Sequence, residues 1–182
     1  MPRRSRAATL RAMTTEGIHP AVRVGHVHLK VADLDRALAF YRDALGLGVT
    51  ADAREVGLDA VFLAAGDYHH HVGLNTWESA GAAPPPAGHT GLYHVAFLYP
   101  DRRELARAVR RLLDRDYPID HGTDHGGTVS VYLADPDGNG LELYYDRPRA
   151  DWFDADGRPV IKAEPFDFHE LLPDRETTTT GG

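Results

Sequence analysis

The chain of 182 residues contains no cysteine, which excludes disulfides, thiolate catalysis and cysteine-based zinc or iron–sulfur sites. It also lacks any apolar run near the roughly 20 residues that cross a bilayer, so no membrane association is expected. The net charge of −7 argues against a nucleic-acid partner, because such partners are usually met by a basic surface. An enzyme or a small-molecule binding protein remains.

The two ends of the sequence differ in composition from its middle. Residues 1–19 lack the apolar stretch of a secretory signal, so we expect a flexible leader on a cytoplasmic protein. Residues 149–176 are too aromatic for a plain linker and predict an extended arm, packed over its own domain or a partner's. Residues 177–182 predict a disordered tail.

The region between the ends repeats itself. Residues 20–148 predict one α+β domain of two βαβββ modules, about 20–78 and 90–148, joined by a proline-rich link. Hydrophobic periodicity predicts helices over Asp33–Leu45 and Asp101–Asp114. The predicted strands are Gly25–Val31, Val49–Ala53, Ala60–Ala64 and His69–Thr76 in the first module, and Tyr93–Phe97, Ile119–His121, Val129–Ala134 and Gly140–Tyr145 in the second.

Turn and cap residues support these boundaries. Asp33 is a plausible N-cap, and Gly46 is placed to end the first helix. In the segment 135–140, Asp-Pro-Asp-Gly-Asn-Gly, proline presets φ while glycine and asparagine tolerate positive φ. This segment therefore predicts a hairpin between the last two strands.

Strand alternation isolates three candidate metal ligands. His26, His94 and Glu142 each fall on the face of a predicted strand that does not pack on the helices. Two imidazoles and one carboxylate suit Fe(II) or Mn(II) when the ion must keep open positions for substrate and oxygen. The same alternation places Ser130 and Tyr132 on the non-packing face of their strand.

These motifs carry a family resemblance. The pattern His-x-x-Leu-x-Val-x-Asp…Phe-Tyr…Leu-Gly-Leu from His26 to Leu47, the His-x-Ala-Phe of His94–Phe97 and the Asp-Pro-Asp-Gly-Asn-Gly-Leu-Glu of Asp135–Glu142 resemble the vicinal oxygen chelate superfamily. That superfamily includes glyoxalase I, bleomycin-resistance proteins and extradiol dioxygenases. The resemblance implies a half-barrel of paired modules around one metal, with His26, His94 and Glu142 as its ligands.

Within the superfamily the chain is most similar to the catechol 2,3-dioxygenase branch. Such enzymes carry a tyrosine ten residues before the glutamate ligand, as Tyr132 stands to Glu142, and a histidine upstream in a His-Gly…His-Gly run. Both His121 and His125 fit that second position, as the base that takes a phenolic proton with Tyr132 as its partner. A further pattern favours His70 over His71 as a general acid beside the oxygen position.

Other residues have accessory expectations. His28 and Lys30 share the predicted face of His26 and could tune its charge, and Trp77 and Tyr144 could form an aromatic wall.

The predicted function is therefore Fe(II)-dependent extradiol cleavage of a catechol-like aromatic with O2, with Mn(II) as an alternative metal. Many extradiol enzymes have two module pairs and this chain has one, so either a partner in a homodimer, the expected assembly, or the C-terminal tail is expected to cover the site. One rival is a glyoxalase-like lyase or isomerase, which would use a second glutamate that the segment 67–77 lacks. The other is a protein that binds a metabolite or antibiotic, against which the complete ligand triad counts.

Overall fold

The computed structural model describes residues 17–172, and the predicted duplication is present in it. The elements of the first module are β1 (Val27–Lys30), α1 (Leu34–Leu38), β2 (Gly48–Asp52), β3 (Ala60–Ala64) and β4 (Val72–Asn75). Those of the second are β5 (Val95–Tyr99), α2 (Arg102–Leu113), β6 (His121–Gly126), β7 (Thr128–Ala134) and β8 (Gly140–Asp146). A last strand, β9 (Ile161–Phe166), follows in the predicted arm.

The two sheets share one topology. Their strand orders are β1-β4-β3-β2 and β5-β8-β7-β6-β9, so in each module the first strand lies at an edge and pairs in parallel with the fourth. The predicted α+β class of paired βαβββ modules is confirmed. Within residues 17–172 the two sheets stay separate and form no closed barrel.

Local chemistry explains the helices. The Asp33 carboxylate accepts the Arg36 N–H at 2.7 Å and caps α1, which widens into a π-helical turn over Ala39–Ala44 rather than continuing as one regular helix. Gly46, at φ 94°, ends it as predicted. Asp101 caps α2 by accepting the Glu104 N–H at 2.9 Å.

One hydrophobic core joins the modules. The apolar faces of both sheets and both helices contribute to it, and each fully buried leucine or valine stabilises the fold by about 1.5–3 kcal/mol. Its most buried members include Val31, Val61, Leu63, Val72, Leu74, Leu105, Val109, Leu112, Val131 and Leu143.

The hairpin turn between β7 and β8 ties the second module to the first. The Tyr41 hydroxyl donates to Asp135 Oδ2 at 2.9 Å in a buried site, and burial, followed by the nearby Asp135 carboxylate, raises the pKa of Tyr41. Asp137 Oδ1 accepts the Ala32 N–H at 3.1 Å and Arg36 Nη2 at 2.6 Å. The predicted hairpin is present, and its carboxylates also hold the start of α1 and the π-helical turn that follows it.

Several strand boundaries were predicted wrongly. His26 and His94 lie one residue ahead of β1 and β5, and β4 begins only at Val72, so the histidines at 69–71 precede it. The strand predicted over Ile119–His121 begins at His121 and continues to Gly126, because β7 pairs with it as far as Asp124 and the arm supplies β9 as a second partner as far as Gly126.

The arm itself packs over its own domain, one of the two arrangements predicted. The predicted leader lies largely outside the described residues and the predicted tail wholly so. None of the helices in the described part of the chain is long and apolar enough to cross a membrane.

We expect Tyr41→Phe to lower the free energy of unfolding by about 1.5–3 kcal/mol, because a buried carboxylate loses a hydrogen-bond donor. Urea denaturation followed by circular dichroism measures the loss. Tyr99→Phe is the matched control, since Tyr99 packs on the same core and no hydrogen bond of its hydroxyl is present within residues 17–172. Equal losses in the two variants would contradict a special role for the Tyr41–Asp135 bond.

Candidate active site

His94 and Glu142 come together at the start of the second sheet. Parallel pairing sets Ala96 beside Glu142, and His94 Nε2 lies 3.0 Å from Glu142 Oε2. Both side chains are only partly exposed, at 28% and 14%. This separation is that of an ordinary hydrogen bond or ion pair. Two ligands at right angles around one divalent ion, with bonds of about 2.1 Å, also stand about 3 Å apart, so the spacing is compatible with both.

Two hydroxyls hold the other oxygen of the same carboxylate. Ser130 Oγ donates to Glu142 Oε1 at 2.5 Å, and the Tyr132 hydroxyl donates to the same oxygen at 3.0 Å. This leaves Glu142 Oε2 directed at His94. Burial and the neighbouring Glu142 raise the pKa of Tyr132 to about 12, so its hydroxyl stays protonated at neutral pH.

The two histidines of the His-Gly…His-Gly run meet Tyr132 in different ways. His125 Nε2 lies 2.9 Å from the Tyr132 hydroxyl, and its Nδ1 lies 2.9 Å from the Lys162 carbonyl oxygen. His121 is exposed and stacks on the Tyr132 ring, with centroids 4.7 Å apart and planes 17° apart. The geometry places His125 as the hydrogen-bonding partner that the sequence left undecided.

His26 stands apart from this cluster. Its ring lies 4.4 Å from that of His70, on the first sheet, and its side chain is exposed. Within residues 17–172, no three histidine, cysteine, aspartate or glutamate side chains are grouped so that they could hold a metal ion. The polar faces of both sheets point away from the shared core. One copy of the chain therefore brings together only His94 and Glu142 of the three predicted ligands.

His70 lies where a histidine cluster borders a cavity. The cavity has a volume of about 480 Å³, and Thr50, Phe62, Tyr68 and His69 line it together with His70. Burial, followed by the His26 ring, lowers the pKa of His70, which favours its neutral form.

His71 turns elsewhere, since its Nδ1 accepts the Ala65 N–H at 3.3 Å. Of the two, His70 is therefore the histidine beside His26, in line with the sequence interpretation.

The accessory residues divide between the sheets. Trp77 is 59% exposed and packs on His28, with ring centroids 5.5 Å apart, while Lys30 forms an exposed ion pair with Glu78 at 3.4 Å. Tyr144 lies on the second sheet, opposite Ser130 on β7. Trp77 and Tyr144 therefore do not line one wall on a single sheet.

The donor set suits a divalent metal. His94 Nδ1 is buried and has no hydrogen-bond partner in the described part of the chain, and its Nε2 faces the carboxylate. His94 and Glu142 are the two residues that one copy of the chain brings together and that could contribute to holding such an ion.

A sequence profile described as the glyoxalase/bleomycin resistance protein/dioxygenase superfamily matches residues 23–143. The chain belongs to this superfamily. Its similarity to a catechol-2,3-dioxygenase of Bacillus subtilis is 38% identity over 157 residues, which covers 85% of this chain and 53% of that protein.

Further members are related at lower identity. A biphenyl-2,3-diol 1,2-dioxygenase of Rhodococcus globerulus is 31% identical over 68% of this chain and 63% of its own length. The crystal structure of a lactoylglutathione lyase from Agrobacterium tumefaciens superposes with a TM-score of 0.53 at 28% identity, over 70% of this chain and 96% of that chain. The chain thus spans between half and two thirds of the two dioxygenase relatives.

Sequence reasoning assigned no role to Ser130, although strand alternation had placed it beside Tyr132. Its side chain is fully buried and donates to the carboxylate of a candidate ligand. A hydroxyl on a non-packing strand face, directed at the same side as a candidate ligand, is the signal that could have identified it.

We expect Ser130→Ala to weaken Mn(II) binding about 10- to 100-fold, because partners that orient ligands contribute that much to metal affinity. Titration with Mn(II) under a competing chelator measures the affinity. Ser79→Ala is the control, since the Ser79 hydroxyl donates to the Val31 carbonyl, away from Glu142. Unchanged affinity in Ser130→Ala would separate this hydroxyl from the metal site.

Proposed function

We propose that the protein is an Fe(II)-dependent extradiol dioxygenase that cleaves the ring of a catechol-like aromatic with O2. The observation that carries this proposal is the chain of contacts from His125 through the Tyr132 hydroxyl to Glu142, with His94 on the other carboxylate oxygen. Proton-transfer groups and metal donors are thereby joined on one face of one sheet. Similarity to two dioxygenases that act on aromatic diols supports it.

Each residue of the candidate site has a proposed role in this reaction. Glu142, His94 and His26 are the proposed ligands, and Ser130 and Tyr132 orient the carboxylate. His125 is the proposed base, since imidazole accepts a proton near neutral pH. His70 is the proposed general acid, contributed by the first sheet.

When bound, Fe(II) supplies open coordination positions for a catechol and O2 and lowers the pKa of the bound hydroxyl. Mn(II) fits the same three donors.

A lyase or isomerase is the alternative function, favoured by the lactoylglutathione lyase relative. The module repeat bears on it directly. Glu142 pairs with Ala96, two residues after His94, and the corresponding residue two after His26 is His28, which pairs with Gly73. Glycine has no side chain to ligate, so the first module supplies no counterpart of Glu142, and a three-ligand site is favoured over one with a second glutamate.

We infer that two copies of the chain complete the site between them. His26 is exposed on one sheet while the His94–Glu142 pair lies on the other, and both β1 and β5 are edge strands. Exposed apolar side chains flank both histidines, where a second copy would cover them: Val22, Val24, Leu92, Tyr93 and Leu98. The homodimer expected from the sequence would then supply His26 from one copy and His94 with Glu142 from its partner.

Anaerobic reconstitution with Fe(II), followed by a catechol panel and air, tests the reaction. We expect a yellow ring-opened product and oxygen uptake, loss of both in Glu142→Ala, and a kcat about 100-fold lower in Tyr132→Phe. Tyr145→Phe is the matched control, because Tyr145 packs against the core from the neighbouring strand β8 and should leave kcat near that of the unmodified protein.

Two outcomes would contradict this proposal. Stoichiometric metal binding without oxygen uptake across the panel would favour the lyase or isomerase. No metal binding at all would leave a protein that binds a metabolite or antibiotic.

Co-expression of two inactive variants tests the shared site. In a symmetric dimer, mixing His26→Ala with Glu142→Ala should restore about a quarter of the unmodified activity, because each mixed dimer regains one complete site. Mixing His94→Ala with Glu142→Ala is the control and should restore none, since both ligands come from one copy. Failure of the first mixture, with dimers present by light scattering, would place the whole site within one chain.

A further inference from the structure

The arm after β8 is built into the sheet that carries the candidate site. β9 pairs antiparallel with β6, from Gly122 opposite Phe166 to Gly126 opposite Ile161. The superfamily match ends at residue 143, so the arm follows the matched region. Its contacts are therefore not part of what that match describes.

The glycines of the His-Gly…His-Gly run leave room for the arm. A Cβ on Gly122 would lie 2.5 Å from the Phe166 carbonyl oxygen, and one on Gly126 would lie 2.6 Å from Val160 Cγ1. Gly126 also has φ 86°, which side chains rarely adopt. These two positions bring the backbone of β9 close enough to touch His125.

That contact decides the state of the His125 ring. The Lys162 carbonyl oxygen can only accept a hydrogen bond, so Nδ1, at 2.9 Å from it, must carry a proton. In the neutral imidazole this leaves Nε2, 2.9 Å from the Tyr132 hydroxyl, as the unprotonated nitrogen. That hydroxyl has one proton, so it donates either to His125 Nε2 or to Glu142 Oε1, and the proton can pass between these two acceptors by rotation of the O–H bond. The arm thus directs the basic nitrogen of His125 into the candidate site.

Charges hold the arm at this point. Lys162 Nζ lies 3.5 Å from Asp124 Oδ2 and 2.9 Å from Glu164 Oε2, and Arg147 Nη2 lies 2.7 Å from the same Asp124 oxygen. Burial alone would raise the pKa of Asp124, but the Gly126 N–H and the two cations lower it. Asp124, the residue next to His125, therefore stays ionised and holds the arm through its ion pair with Lys162.

The far end of the arm is anchored as well. The Leu171 side chain is buried in the core, and Arg102 at the start of α2 donates to the Glu170 carbonyl oxygen. A strand held at Lys162 and again at Glu170 and Leu171 has little freedom to move the Lys162 carbonyl away from the imidazole.

We propose that the arm is a positioning element of the active site, which fixes the tautomer and orientation of His125 through the Lys162 carbonyl. The proposal rests on the proposed function only for the part His125 plays in turnover. The ring state itself is a property of the resting protein.

The first test needs no substrate. Nitrogen-15 NMR of the intact protein should show His125 protonated at Nδ1 when neutral, with its signals assigned by their loss in His125→Gln. A chain ending at residue 156 removes β9 and should lose this preference, whereas a chain ending at residue 172 should keep it, because β9 and the Lys162 carbonyl remain. An Nε2-protonated His125 in the intact protein, or an unchanged tautomer in a folded chain ending at 156, would overturn the proposal.

The second test uses turnover. The chain ending at residue 156 should lose about 10- to 100-fold in kcat with KM little changed, as displacement of a catalytic group predicts. The chain ending at residue 172 keeps β9 and should keep kcat within a few-fold of the unmodified protein. Unchanged kcat in a folded truncation would overturn the catalytic part. If no variant cleaves catechols, the proposed reaction fails while the NMR result still decides whether the arm positions His125.

Discussion

The buried carboxylate of Asp135 is the constraint on which the arrangement of the two modules depends. It accepts the Tyr41 hydroxyl from the first module and two N–H groups of its own turn, Asp137 and Asn139. Two residues on, Asp137 receives the Ala32 N–H and the Arg36 guanidinium. A buried polar group without a hydrogen-bond partner carries a large desolvation cost. Neither module can therefore rotate against the other without leaving these carboxylates unpaired. The orientation of both polar sheet faces follows from that lock.

The same lock explains why the candidate site is divided. Apolar residues of both sheets face one core, so alternation sends the polar residues of each sheet outward on its own side. The second sheet carries His94, Glu142, Tyr132 and His125 as one connected cluster, and the first carries His26 and His70. A half-site of this kind is stable alone, because hydroxyl and imidazole donors satisfy the carboxylate before any ion or partner arrives.

Local patterns were sufficient where local interactions decide the structure. The bounds of β3, the Asp33 cap of α1 and the hairpin at 135–140 follow from alternation, cap chemistry and turn residues, and all were predicted. The start of β4, the strand over His121–Gly126 and the choice of His125 over His121 depend on chain partners far away in sequence. Glycine-flanked histidines give no strand signal, and the run becomes β6 because it lies between β7 and the arm and pairs with both.

The arm also determines which borders of the second sheet remain open to other chains. β9 covers β6, which would otherwise be a glycine-containing edge strand whose pairing register is weakly specified. The border it presents instead carries Lys162 and Glu164, and Pro165 has no N–H to offer a further strand. Charge and proline at an outer strand discourage unwanted sheet growth, so on this sheet association by strand pairing is left to β5, the border beside His94.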